Sequence, residues 1–221
     1  MLLHGSLASG DFRPGRSDID VLVVVDDELS DARAEAVTDL IRRADVGDAT
    51  GIDLHVVTAA VAGSPSRRPP LELHVGRHDR SSVGVEVARR VAGDPDLSTE
   101  LSAARAHGRA LRGARPDEVL RPVPAEWIVA RGRHWLTTWR SRTGDAENAA
   151  FMVLTACRIW RFAVEREHSA KARAARWALR RDPSLTAVRQ ALHQYETDPA
   201  MPIDRDGIAE VLGTVRRDTT P

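Results

Sequence analysis

The chain has 221 residues and is 42% hydrophobic, which is enough to bury an ordinary globular core in one large domain or two small ones. Lysine plus arginine equal aspartate plus glutamate at 32 each, so no net charge would draw the molecule onto nucleic acid or an anionic membrane. The composition therefore disfavours a general nucleic-acid binder and a membrane-surface protein.

The single cysteine, Cys157, lies in an apolar run of helical periodicity and has no second cysteine for a disulfide or a cysteine-based metal site. We interpret it as a core thiol. Because His4 and Gly5 follow the first three residues at once, the start contains no apolar stretch long enough for a signal peptide or a membrane span. We therefore expect a cytoplasmic protein, acting as a monomer.

The first third of the chain alternates between strand-like and helix-like segments. Residues 21–25 are a continuous run of valine and leucine, which predicts a buried strand. Ser30 can cap a helix over 31–43, whose apolar positions recur at helical spacing. Residues 52–57 predict a second strand, so the order is strand, helix, strand.

A change in composition and in hydrophobic periodicity separates two predicted domains. Residues 62–70 are too rich in proline and serine for a regular element, and 71–75 predict a short strand. From about Leu97 onward, segments rich in alanine, arginine and leucine have helical periodicity. We predict an α+β fold, with a small mixed-sheet domain over 1–118 and an α-helical bundle over 119–221.

The densest chemical signal precedes the first predicted strand. Asp18 and Asp20 are two residues apart in an extended segment, so both carboxylates project from one face, and Mg²⁺ prefers such oxygen ligands. Upstream, Gly5 allows the backbone to approach an anion, and Ser6 offers hydroxyl and N–H donors. Together with Ser17, these residues predict a cradle for the triphosphate of ATP.

A third carboxylate, Asp53, lies on the next predicted strand. If the two strands pair, its face meets that of Asp18 and Asp20, with room between them for an acceptor hydroxyl. Asp53 is therefore the candidate general base. Metal-assisted nucleotidyl transfer needs little more from a protein than positioning and charge neutralisation.

These features also have simpler interpretations. An Asp-x-Asp pair beside a strand is often a solvated turn, although the added Gly-Ser and third acid favour catalysis. His74 and His78 are four apart and would share a face only in a helix, whereas residues 71–75 alternate as a strand does. The spacing therefore disfavours a zinc site made from that pair.

The combination of Gly-Ser, a spacer and Asp-x-Asp resembles the signature of the DNA polymerase β-like nucleotidyltransferase superfamily. Residues 154–160 (Leu-Thr-Ala-Cys-Arg-Ile-Trp), Lys171, and residues 174–179 (Ala-Ala-Arg-Trp-Ala-Leu) are similar to the helical C-terminal domain of streptomycin 3''-/spectinomycin 9-adenylyltransferases. The resemblance spans nearly the whole chain. The C-terminal residues are far more specific to this family than the shared N-terminal signature.

The resemblance implies roles for several residues. Ser6, Asp18 and Asp20 match nucleotide and Mg²⁺ positions, and Asp53 falls at the family's catalytic glutamate. The residues that match an ATP clasp are Arg158, Lys171 and Tyr195. Those implied to contact the drug are Trp139, with Asp145 or Glu147 for its cationic groups, and His78, which stands where other members have a substrate-facing tryptophan.

Without the resemblance, Arg158 and Lys171 would be interpreted as solvated helix-face residues and Trp139 as a core aromatic. Besides His78, two departures from the family pattern stand out. Asp53 is one methylene shorter than glutamate, and general-base geometry is sensitive to that reach. The family also has a helix before the Gly-Ser strand, whereas Met1 lies almost on it, which would leave apolar sheet surface uncovered.

We therefore expect Mg²⁺-dependent transfer of AMP from ATP to a hydroxyl of streptomycin or spectinomycin, conferring resistance, with the active site in a cleft between the two domains. One alternative is a nucleotidyltransferase that modifies another acceptor, such as a protein or a different metabolite. Another is a nucleotide-binding module that has lost catalysis. A nucleic-acid enzyme is disfavoured by the balanced charge.

Overall fold

The computed structural model describes residues 1–78 and 84–220. They divide into two compact units, Met1–Val123 and the residues from Pro124 onward. The first unit is built on a sheet and the second is helical, so the predicted α+β class is confirmed.

Six described strands form the sheet of the first unit. They are β1 (Leu2–His4), β2 (Ile19–Val25), β3 (Gly51–Thr58), β4 (Leu71–His78), β5 (Val85–Val91) and β6 (Arg109–Ala110). Their spatial order is β5-β4-β3-β2-β1-β6. Only β2 and β3 pair in parallel, while the other neighbours are antiparallel, so the sheet is mixed as predicted.

Five helices accompany this sheet: α1 (Gly5–Ser9), α2 (Asp31–Arg43), α3 (Ala59–Gly63), α4 (Leu97–His107) and α5 (Pro116–Val119). The bounds predicted for α2 are confirmed, and the Ser30 hydroxyl accepts the Arg33 N–H at its start. Helix α2 connects the two parallel strands, which cannot be joined by a tight turn. Its residues Ala34 and Ile41 pack on the sheet face that carries Val21 and Leu54.

The opposite sheet face packs against α4. Leu97, Leu101 and Ala104 of this helix join Leu2 and Leu22 in a second buried cluster. Side chains alternate along a strand, so the residues that flank Leu22 along β2 belong to the face covered by α2. Toward the N-terminal end of β2, the α4-side face changes from apolar to polar side chains, and the candidate site lies there.

The second unit consists of α6 (Ala125–Trp139), α7 (Ala149–Glu165), α8 (Lys171–Arg181), α9 (Thr186–Glu196) and α10 (Arg205–Asp218). Its core is centred on α7, where Met152, Ala156 and Trp160 are almost fully buried. Cys157 is completely buried there, as predicted, and burial raises the pKa of its thiol to about 12. It is a packing residue and not a reactive thiol.

Some local features differ from the sequence prediction. The segment over 62–70, expected to be irregular, begins inside the one-turn helix α3. Strand β4 extends three residues beyond the predicted end, to His78. The sequence analysis also missed β1, β5 and β6, which are short or carry mostly half-exposed and exposed side chains.

Candidate active site

One row of residues crosses the sheet at its polar end. His4, Asp20, Asp53, Gly76 and Glu86 occupy successive partner positions on β1 to β5. Residues that are directly paired across strands point to the same face. The register therefore puts the carboxylates of Asp20 and Asp53 side by side, with the His4 imidazole on the far side of Asp20.

Asp20 lies against the backbone of Gly5. Gly5 adopts φ +64, and a Cβ at this position would overlap the Asp20 carboxylate. Glycine is needed here for two independent reasons, because a side chain would be strained by the backbone and would also displace the acid. The Gly5 position thus determines where the Asp20 carboxylate can lie.

Asp18 lies just before β2 and is half-buried. Its negative charge and that of Asp53 both act to raise the pKa of His4. Burial of His4 has the larger effect and lowers that pKa to about 4, so the imidazole is neutral near pH 7. The contact of 3.7 Å between His4 Nδ1 and Glu100 is therefore a polar contact and not an ion pair.

Two serines flank this group of acids. The Ser6 hydroxyl is buried and has no hydrogen-bond partner in the part of the chain that the structure describes, which is unusual for a buried polar atom. The Ser17 hydroxyl instead accepts the backbone N–H of Arg13 at 3.0 Å, and its carbonyl accepts the N–H of Thr50. Ser6 can thus serve a ligand, whereas Ser17 shapes the loop before the acids.

Asp53 forms a close pair with His74. The Asp53 Oδ1 and His74 Nε2 atoms are 2.5 Å apart, and the two side chains are 29% and 20% exposed. Burial alone would raise the pKa of Asp53, but the hydrogen bond from His74 and the charges of His55, His74 and His78 together lower it. The same hydrogen bond raises the pKa of His74, so the imidazole donates and the carboxylate accepts.

A third imidazole completes a cluster with this pair. His55 is stacked on His74, with ring centroids 4.7 Å apart, and burial lowers its pKa. One ligand atom each from Asp53, His55 and His74 lie within 4.8 Å of one another. Gly76 lies opposite Asp53, and a Cβ there would make ordinary van der Waals contact with the rings, 3.6 Å from His74 Nε2 and 3.5 Å from His78 Nε2.

In the second unit the structure brings Lys171 and Tyr195 together. The Lys171 ammonium lies 5.9 Å from the Tyr195 ring centroid and 5.5 Å from that of Phe151. Phe151 is 48% exposed, which is high for a large apolar side chain. Arg158 lies half-buried on the same helix as Phe151, and its side chain forms no hydrogen bond or ion pair with the rest of residues 1–78 and 84–220.

Trp139 lies in the helical core and is only 6% exposed. Its ring stacks on Trp135 and meets Phe151 edge to face, with centroids 5.6 Å and 5.7 Å apart. Asp145 accepts hydrogen bonds from the backbone and side chain of Asn148, whereas Glu147 is exposed. Besides Tyr195, the aromatic side chain next to Lys171 is therefore Phe151, with Trp139 behind it.

Sequence reasoning missed three participants: His4, His55 and Phe151. The period of two along β3 places His55 on the same face as Asp53, so the sequence carried that signal. His4 could be placed only once β1 was known to pair with β2. Phe151 lies in an apolar run, and its exposure could not be inferred from the sequence.

Converging carboxylates on the first strands of a mixed sheet, beside a Gly-Ser turn, define the class of a nucleotidyltransferase. Two family models match the chain accordingly: "Nucleotidyltransferase domain" over residues 1–68 and "Aminoglycoside adenylyltransferase, C-terminal domain" over residues 118–216.

Individual relatives identify the family. The chain is 32% identical over 206 residues to an aminoglycoside (3'') (9) adenylyltransferase of Escherichia coli, covering 89% of this chain and 78% of the relative. It is 27% identical over 221 residues to a spectinomycin 9-adenylyltransferase of Campylobacter jejuni, covering 95% and 83%. The chain belongs to the aminoglycoside (3'') (9) adenylyltransferase family, which confirms the resemblance noted in its sequence, and it is an enzyme of the nucleotidyltransferase class.

A solved structure shares the fold. The spectinomycin adenyltransferase AAD(9) from Enterococcus faecialis, crystallised with ATP and spectinomycin, matches with a TM-score of 0.70 over 99% of this chain and 90% of the other. The sequences are only 16% identical, so this likeness concerns the fold. Among the described residues, no helix has the length and apolar character required to cross a membrane.

Proposed function

We propose that this enzyme transfers AMP from ATP to a hydroxyl group of streptomycin, spectinomycin or both, releasing pyrophosphate and thereby conferring resistance. The side-by-side placement of Asp20 and Asp53 next to Gly5 carries the proposal. The names of the relatives, which specify 3'' and 9 adenylylation, support this substrate class. Because the reaction consumes ATP, we place it in the cytoplasm.

Asp18 and Asp20 would hold Mg²⁺. Their carboxylate oxygens are the ligands this ion prefers. The Ser6 hydroxyl, which has no partner among the described residues, can donate to a phosphate oxygen. A bound Mg²⁺ would neutralise charge on the phosphates and help to orient them. The close approach of Gly5 to Asp20 holds one of these carboxylates in place.

Asp53 would accept the proton of the drug hydroxyl. The hydroxyl oxygen then bonds to the α-phosphorus of ATP, and the bond from that phosphorus to the pyrophosphate oxygen breaks. The hydrogen bond from His74 fixes the orientation of the Asp53 carboxylate. It also makes Asp53 a weaker base by lowering its pKa, so correct positioning must contribute much of the rate.

Arg158, Lys171 and Tyr195 would bind ATP from the second unit. Lys171 and Arg158 supply positive charge for phosphate oxygens, and the Tyr195 ring lies beside the Lys171 ammonium. Asp145, Glu147 or both would attract the cationic groups of the drug. Since Trp139 is buried behind Phe151, direct aromatic contact with a substrate falls to Phe151, with Trp139 supporting it.

The test is a coupled measurement on the purified full chain. With Mg²⁺, ATP and a panel of aminoglycosides and aminocyclitols, we expect drug-dependent pyrophosphate release and a drug product heavier by one AMP. Lys171→Gln should raise the KM for ATP by about 10- to 100-fold, the loss of one charged hydrogen bond. Arg173→Gln, an exposed change on the same helix, is the matched control.

Two outcomes would contradict the proposal. ATP binding without transfer to any drug would indicate a nucleotide-binding module. Release of pyrophosphate with some other acceptor, but with no drug in the panel, would indicate a nucleotidyltransferase of different specificity.

A further inference from the structure

The Asp53, His55 and His74 side chains form a cluster whose donors differ from those of the proposed Mg²⁺ site. Two imidazole nitrogens and one carboxylate oxygen suit Zn²⁺ and similar transition ions, whereas Mg²⁺ favours oxygen ligands alone. We propose that this cluster, called here the Asp-His-His site, binds a transition-metal ion of the Zn²⁺ type. We further infer that a bound ion inhibits adenylyl transfer, and this second inference rests on the proposed function.

The strand geometry supports the Asp-His-His site. His55 and His74 are direct partners across the antiparallel pair β3 and β4, and Asp53 precedes His55 by two residues on the same face. Their ligand atoms lie within 4.8 Å of one another, and tetrahedral Zn²⁺ needs neighbouring ligand atoms about 3.3 Å apart. Small side-chain rotations therefore suffice, with no change in the strands.

The hydrogen-bond pattern gives an independent argument. The His55 Nδ1 atom is buried and has no hydrogen-bond partner among residues 1–78 and 84–220. A buried nitrogen without a partner is costly, and coordination to a metal ion would satisfy it. Three protein ligands would leave a fourth position for water, as in open zinc sites.

Inhibition follows from the identity of one ligand. Asp53 is the proposed general base, and a carboxylate that donates a lone pair to a divalent cation is a poorer proton acceptor. The ion would also replace the hydrogen bond between His74 and Asp53, since His74 Nε2 must release its proton to solvent before its lone pair can bind the metal. The site thus couples metal availability to catalysis.

Binding is tested first, without ATP or drug. The full chain is titrated with Zn²⁺ by calorimetry and with Co²⁺, whose visible absorption reports tetrahedral nitrogen and oxygen ligation. We expect one ion per chain, and an excess of Mg²⁺ should leave the Co²⁺ spectrum unchanged. His55→Gln and His74→Gln should each weaken binding by about 100-fold or more, because even residues outside the ligand set change affinity by about 10- to 100-fold.

The control is His193→Gln, which removes an exposed imidazole from α9 in the second unit. It should bind Zn²⁺ like the unmodified chain. Thermal unfolding of each variant verifies that it is folded. Unchanged affinity in both cluster variants, loss of binding in His193→Gln, displacement of Co²⁺ by Mg²⁺, or no saturable binding would each overturn the site.

Inhibition is then measured as the ratio of transfer rates with and without Zn²⁺ for each protein. The ratio should fall for the unmodified chain and for His193→Gln, and stay near one for His55→Gln. Zn²⁺ binding at the cluster with an unchanged or increased rate would overturn the inhibitory role while leaving the site intact. If no drug is modified at all, the proposed function fails, but the binding experiment still decides the site.

Discussion

Asp20 and Asp53 are partner residues on two neighbouring parallel strands, β2 and β3, so their side chains leave the same sheet face one strand apart. That spacing is about 4.8 Å, which is close enough for two carboxylates to act on one bound substrate. Gly5 packs against Asp20 on one side, and His74 donates a hydrogen bond to Asp53 on the other. The two acids are thus held by different neighbours, which allows their roles to be separated by mutation.

Replacement of the proposed base should affect turnover far more than ATP binding. Asp53→Asn keeps the size of the side chain but removes its basicity, so we expect kcat to fall by about 10²- to 10⁴-fold. Steady-state pyrophosphate release gives kcat, and equilibrium ATP binding should change little. Asp27→Asn, an exposed change just beyond the end of β2, is the control. A kcat for Asp53→Asn close to that of the control would exclude Asp53 as the base.

Alanine substitutions at two glycines distinguish the effect of backbone strain from the effect of displacing the Asp20 carboxylate. Gly5 and Gly10 both have positive φ, so alanine at either position should lower the free energy of unfolding by about 1–2 kcal/mol. At Gly5 the new methyl would overlap the Asp20 carboxylate, whereas no described residue has an atom within 4 Å of a Cβ at Gly10.

We therefore expect Gly5→Ala to lose about 100-fold or more in kcat/KM, since a displacement of about 1 Å can cost that much. Gly10→Ala should keep most of its activity. Urea unfolding and initial rates measure the two effects on the same samples. Equal loss of activity in both variants would mean that strain, and not the position of Asp20, is responsible.

The buried imidazole of His4 predicts a pH dependence of stability. Its pKa is about 4 in the folded chain against 6.5 in its ordinary state, because burial disfavours the charged form. Between these pH values the imidazole binds more protons in the unfolded chain than in the folded chain. The stability contributed by burying the neutral imidazole is therefore complete above about pH 6.5 and is lost as the pH falls toward 4. The full effect is up to about 3 kcal/mol.

His4→Gln removes this titration. Comparison with the unmodified chain therefore separates the effect of His4 from those of His55 and His74, whose pKa values shift in opposite directions. From neutral pH to about pH 4.5, the unmodified chain should lose about 2 kcal/mol more stability than His4→Gln. Urea unfolding at several pH values gives the comparison. Parallel curves for the two proteins would show that His4 does not titrate in this way.

The elements predicted well from the sequence are those whose local signals agree with their tertiary environment. Helix α2 combines a serine cap with a regular apolar stripe, and both its ends were predicted. Strand β5 was missed because its exposed side chains include Glu86, Arg89 and Arg90, as suits the outermost strand of a sheet. Local sequence does not reveal that such a segment will find a partner.

The candidate site was likewise predictable only where local sequence carries the signal. The spacing of Asp18, Asp20 and Asp53 in the sequence was enough to predict them as site residues. The pairing of Asp20 with Asp53, however, depends on the register of two strands separated by α2. Local sequence does not specify such a register. The contact of His74 with Asp53 is diagonal across β3 and β4, so it too depends on the register of a strand pair.

The helical unit offers a packing test between α6 and α7. Alanine normally stabilises a helix relative to glycine by about 1 kcal/mol. At Gly132 on α6, however, a Cβ would lie 2.7 Å from the Ile159 Cγ2 atom of α7, so the two helices would have to separate. Overpacking of this kind costs about 1–3 kcal/mol, and Gly132→Ala should therefore be neutral to destabilising.

Gly213→Ala on α10 is the matched change. Among the described residues, its Cβ would meet only the flexible end of Arg217, at 3.6 Å, so the helix preference should appear undiminished as a gain of about 0.5–1 kcal/mol. Thermal and urea unfolding should show that the free energy of unfolding of Gly213→Ala exceeds that of Gly132→Ala by about 1–3 kcal/mol. If Gly132→Ala were as stabilising as Gly213→Ala, α6 and α7 could not be packed as closely as Gly132 and Ile159 indicate. Since α7 also carries Phe151 and Arg158, a shift of α6 against α7 should raise the KM for ATP or drug in Gly132→Ala and leave it unchanged in Gly213→Ala.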